Sequence, residues 1–166
     1  ESIPYLDLIH RAVKRLFEGE GDTPPVAPNV KLINFSVCDE TISYFNSISP
    51  FARLLDWLSY KFGVLFIISA GNQDSSFTLP ISNEEFNLLS TDELEKKIIK
   101  TLYLDINNRR IFSPAESVNN LTIGALHADN CASPLGGNLI DIYQNQLPSP
   151  ISPFGFIKKS PSLELL

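Results

Sequence analysis

The chain has 166 residues, 43% of them apolar and 19% charged, and carries a formal net charge of −6. That length and apolar content suffice for one domain with a substantial core and exclude disorder as the default state. The acidic balance argues against a nucleic-acid partner, which leaves a basic footprint, and no run approaches the roughly 18 apolar residues of a membrane span. The two cysteines, Cys38 and Cys131, are too few for a disulfide framework. They are expected as thiols in a reducing compartment, which tilts the expected location towards the cytoplasm. No leader is recognisable at Glu1, and the chain, lacking an initiator Met, reads as a piece of a longer protein.

Residues 4–17 place Leu6, Ile9, Val13 and Leu16 at helical spacing, with Arg11, Lys14, Arg15 and Glu18 on the other face. Pro4 suits a first turn and Gly19 an end. His10 sits beside this stripe and reads as a helix-surface residue. A Pro/Gly-rich connection over 20–29 delivers the chain to a strand at 30–37, in which Asn34 and Ser36 are polar. Asn34 is expected to bond a neighbouring loop. Residues 39–49 read as a loop. Ser49 is a good N-cap with Pro50 at the first helical position. Phe51, Leu54, Leu55, Leu58 and Phe62 then form a stripe that Gly63 ends. Trp57 lies off that stripe and reads as packing.

Val64 to Ile68 is an unbroken apolar run, suited to a strand buried on both faces. It breaks into Ser69, Ala70, Gly71 and Asn72. Small residues at the carboxyl end of such a strand allow a ligand close to the backbone, and ligands of open α/β sheets bind at that end. Asn72 brings a neutral amide donor there. Further on, Ser90 and Glu93 have capping-box spacing. Leu94, Ile98, Leu102 and Ile106 follow at helical intervals, predicting a helix near 91–105 with Glu93, Glu95, Lys96, Lys97 and Lys100 on its solvated face. Residues 120–126 read as another buried strand. His127 and Asp129 invite a dyad or metal reading, but no third ligand has a convincing spacing. Cys38, Cys131, His10 and His127 match no zinc motif. No phosphate-binding loop is present, so no metal or cofactor is expected. From Asn130 onward the chain is Pro-rich and expected to be mostly loop.

Four segments, in order, resemble the subtilisin-like serine peptidases. Val64 to Asn72 is similar to the strand ending in Ala/Ser-Ala-Gly-Asn. Val30 to Ser36 is similar to the preceding Val-x-Val-Ile-Asn-x-Ser strand. Ser113-Pro114-Ala115 followed by Leu121 to Ala125 resembles the Pro-Ala and Val-Gly-Ala element, and Ser149 to Gly155 resembles the Phe-Ser-x-x-Gly region ahead of the nucleophile. About 40 residues lie between Asn72 and Pro114, where the family returns quickly.

The resemblance implies an α/β, three-layer fold: a mainly parallel sheet with helices on both faces, in which residues 1–166 are the central part of one peptidase domain and 73–112 a helical insertion. It implies that Asn72 is the oxyanion-hole donor and that Ser36, Val37 and Cys38 lie beside the substrate backbone as an added strand. Ser69, Ala70, Gly71, Ser113, Pro114 and Ala115 would wall the pocket for the side chain next to the scissile bond. The family usually has Gly where this chain has Cys38, whose side chain would narrow the groove. The insertion is either a lid over the pocket or a peripheral decoration. Peptide hydrolysis also needs a Ser, a His and an Asp, yet His-Gly-Thr and Gly-Thr-Ser-x-Ala motifs are absent. The chain alone is therefore expected to be inactive, with a peptide or protein as the parent's substrate. A catalytically inactive relative or an α/β interaction module is the alternative. Exposed strand edges in such a piece would favour self-association.

Overall fold

The computed structural model describes residues 4–127 and 147–155. They divide into two compact units, the first built from 4–71, 111–123 and Gly155, the second from 72–110, 124–127 and 147–154.

The first unit begins with α1 (Tyr5–Phe17), followed by β1 (Leu32–Phe35), β2 (Asp39–Ser43), α2 (Pro50–Phe62) and β3 (Leu65–Ser69). It ends with β4 (Phe112–Ser113) and β5 (Leu121–Ile123). The local signals of α2 are all used. The Ser49 hydroxyl accepts from the Ala52 amide, Pro50 opens the helix, and Gly63 closes it at φ 60°. That left-handed conformation is inexpensive only for glycine.

Strands β1, β3 and β5 form a parallel sheet in that order. Ile33 pairs with Phe66 and Phe35 with Ile68, while Ile68 pairs with Thr122. Parallel neighbours need a crossover, and α2 lies between β1 and β3 in the chain. Alternation then assigns the faces. Phe66 and Ile68 are buried in one core cluster with Phe51, Leu55 and Leu58 of α2 and Val13 of α1. The opposite face carries Leu32, Leu65, Ile67, Leu121 and Ile123, of which Leu32, Leu121 and Ile123 are 61%, 49% and 48% exposed. The chain is thus α/β, with a three-stranded parallel sheet flanked by helices.

The stretch 39–49, expected as a loop, holds β2, which pairs antiparallel with β4 through Asp39↔Ser113 and Ser43↔Phe112. Its partner lies far away in sequence, so no local pattern announces it. Asn34, expected to bond a neighbouring loop, instead has its Oδ1 3.5 Å from Ser36 Oγ. His10 packs edge-on against Trp57 at 5.5 Å, and Lys61 Nζ lies 5.0 Å from the Trp57 ring centroid. Both residues have packing roles.

The second unit holds α3 (Asn83–Leu88) and α4 (Thr91–Leu104). The Ser90–Glu93 capping box is formed in both directions. Leu94, Ile98 and Leu102 make a small core with Phe77, Leu79, Ile81, Phe86, Leu89, Leu147 and Phe154. Arg109 is only 1% exposed and ties this unit together. Its guanidinium donates to Asp105 Oδ2 at 3.1 Å, to the Pro150 carbonyl at 2.9 Å and to the Ser75 carbonyl at 2.6 Å. It also lies over the Phe77 ring. Cys131, Asp129 and most of the Pro-rich region expected as loop lie outside the described residues.

Candidate functional site

Parallel strands end together, so the segments leaving β1 and β3 emerge at one end of the sheet. Phe35 pairs with Ile68; one residue further along come Ser36 and Ser69. The Ala70 amide donates to the Ile123 carbonyl at 2.9 Å, continuing the sheet by one step. The Phe112 amide donates to the Ala70 carbonyl at 3.2 Å, which attaches the 112–115 segment to the same end. Asp39 pairs with Ser113, so the chain leaving Cys38 arrives there too. Thus Ser36, Val37 and Cys38, Ser69, Ala70 and Gly71, and Ser113, Pro114 and Ala115 come together in the first unit.

Their exposure differs. Ser36 and Val37 are exposed and Cys38 is half-buried, whereas Ala70, Gly71, Ser113, Pro114 and Ala115 are buried. Gly71 has φ 96°, and a Cβ there would lie 2.6 Å from Phe112 Cδ2. Only glycine meets both conditions. Asn72, the next residue, is exposed and begins the second unit. In that unit the neighbouring Gln73 donates its amide to the Ile151 carbonyl at 2.8 Å and its side chain to the Asn108 carbonyl at 2.5 Å.

A buried polar cluster supports the 113–117 segment. Ser113 Oγ lies 2.6 Å from Ser49 Oγ, and Glu116 Oε1 accepts from the Ser49 amide at 3.0 Å. Asp56 of α2 accepts from the Ser117 hydroxyl and from the amides of Val118 and Asn119. Asn120 Oδ1 accepts from the Phe66 amide at 3.0 Å, and the Thr122 hydroxyl donates to the Ala115 carbonyl. The turn between β4 and β5 is therefore held from α2 and β3. On β2, the Thr41 hydroxyl and amide, with the Tyr5 hydroxyl, hold the Asp39 carboxyl below its usual range, against the effect of its burial.

Phe112, Glu116, Asp56 and Arg109 carry no motif that marks them in the sequence. The one available signal was the adjacency of Phe112 and Glu116 to Ser113-Pro114-Ala115. In the second unit, Ser149 to Phe154 packs on the residues after β5. The Ser149 amide donates to the Ala125 carbonyl, and Ser152 Oγ accepts from the Ala125 amide at 3.1 Å. Among the described residues no group of three His, Cys, Asp or Glu is placed to hold a metal ion. No helix there is long and apolar enough to cross a membrane. No protein-family profile, curated protein or solved structure matches the chain.

Proposed function

We propose that this chain is the central part of the catalytic domain of a subtilisin-like serine endopeptidase. In this reading a second helical layer completes the three-layer fold, Asn72 donates its amide to the oxyanion, and Ser36, Val37 and Cys38 receive the substrate backbone. Ser69, Ala70, Gly71, Ser113, Pro114 and Ala115 surround the side chain next to the scissile bond. The observation that carries the reading is the convergence of three separate segments, leaving β1, β3 and β4, at one end of a parallel sheet. That is the end where open α/β sheets bind ligands. The link 36–38 between β1 and β2, exposed at Ser36 and Val37 and half-buried at Cys38, would offer its backbone groups to an added peptide strand.

The Asp, His and Ser of the triad are supplied by other parts of the protein. A fluorophosphonate probe therefore labels the longer protein on a serine outside these 166 residues, and the 166-residue chain alone hydrolyses no peptide. Labelling or turnover by the pure chain alone would overturn this assignment of parts. Leu32, Leu121 and Ile123, about half exposed on one sheet face, together with β1 and β5, the edge strands among the described residues, make the chain alone prone to self-association.

A further inference from the structure

The geometry points to Phe112 as the residue that sets substrate class: its ring restricts the pocket, so the protein cleaves after small side chains such as Gly, Ala or Ser. This rests on the peptidase reading above. Small walls such as Ser69-Ala70-Gly71 and Ser113-Pro114-Ala115 would by themselves leave room for a large side chain. Phe112 removes that room. Its Cδ2 lies 2.6 Å, and its Cβ and Cγ each 3.3 Å, from where a Gly71 Cβ would stand. The ring thus occupies the space that the missing side chain of Gly71 leaves.

Two hydrogen bonds of the Phe112 backbone and one of the neighbouring Ser113 side chain fix the segment that carries the ring. The Phe112 amide donates to the Ala70 carbonyl at 3.2 Å, the Ala115 amide donates to the Phe112 carbonyl at 2.8 Å, and the neighbouring Ser113 hydroxyl is bonded to that of Ser49 at 2.6 Å. Phe112 is 5% exposed, Ser113 is fully buried and Ala70 and Ala115 are each 3% exposed. A ring packed this closely cannot swing aside without disturbing both walls. A substrate side chain entering between them meets an aromatic face and not an empty cavity.

The test uses the full-length protein and peptides that differ only in the residue ahead of the cleaved bond: Ala, Val, Leu, Phe or Arg. Binding and kcat/KM are read together for the wild type, Phe112→Ala and Phe112→Leu. One methylene in an apolar pocket changes kcat/KM by about 10–200-fold, so the wild type is expected to favour Ala over Phe by about 10²-fold or more. Phe112→Ala shifts the Phe-to-Ala ratio upward by about 10-fold or more, with Phe112→Leu between. A wild type that cleaves after Phe or Leu as well as after Ala overturns the proposal while leaving the peptidase reading intact, whether or not the variants fold. A ratio unchanged in a folded Phe112→Ala overturns it as well. If no peptide is bound or cleaved, the peptidase reading falls and takes this proposal with it.

Discussion

Asp56 shows how one side chain in a helix can shape a distant turn. Its Oδ1 takes the Ser117 hydroxyl at 2.5 Å, the Val118 amide at 2.9 Å and the Asn119 amide at 2.8 Å. Hydrogen bonds to a charged group are worth about 1.5–3 kcal/mol each, but the Val118 and Asn119 amides can turn to water once released. Asp56→Ala is therefore expected to lower unfolding free energy by about 2–3 kcal/mol, read from urea denaturation. Gly71 is constrained in a different way. Its φ of 96° and the Phe112 ring act together against any side chain. Gly71→Ala is expected to cost about 1–3 kcal/mol for the backbone alone, plus the displacement of Phe112. A midpoint of urea unfolding within error of the wild type would show that the 71–112 contact is loose.

At the scale of elements, α4 is the clearest case of local specification. Ser90 accepts from the Glu93 amide, while the Glu93 carboxylate takes both the amide and the hydroxyl of Ser90. Ser90→Ala is expected to cost about 1 kcal/mol. The same box gives a pH dependence. Bonds from Ser90 hold the Glu93 carboxyl below its ordinary value of 4.5, assisted by Lys96 and Lys97. A depressed carboxyl contributes its stability in full above the unfolded value and loses it as the pH falls through the folded one. The Ser90 amide should thus stay protected from hydrogen exchange at pH 6 and lose protection below pH 4.5. Protection that is unchanged in acid would show that Glu93 does not hold that amide.

The elements readable from sequence were those specified by neighbours along the chain. Pro50, Gly63 and the Ser90–Glu93 pair each mark a boundary that depends on a few adjacent residues. Val64 to Ile68 is legible because five consecutive apolar residues permit few other roles. The β2–β4 ladder was not legible, since Asp39 meets Ser113 only through the fold. Helix α3 is six residues long, too short for a periodic stripe, and rests on the single Ser82 cap. At the site, the small residues stood out by composition, whereas Phe112 did not. An aromatic between Ile111 and Ser113 looks like ordinary core until the fold sets it against Gly71.

For the whole molecule, the sheet has one face packed against α1 and α2 and another that leaves three large apolar residues about half exposed. Parallel sheets are ordinarily covered on both faces. The chain alone is expected to associate as its concentration rises, and Leu121→Lys together with Ile123→Lys should weaken that association. Sedimentation velocity reads both; a monomer at every accessible concentration would contradict the expectation.

Asn72 offers the most direct test of the proposed peptidase function. In subtilisin itself, removing the oxyanion-hole amide costs about 10²–10³ in turnover. Peptide hydrolysis by the full-length protein and by its Asn72→Ala variant should differ by that factor in kcat, with KM nearly unchanged. Equal, substantial turnover in both would remove Asn72 from the chemistry. Absence of turnover in a folded wild type would contradict the peptidase reading as a whole.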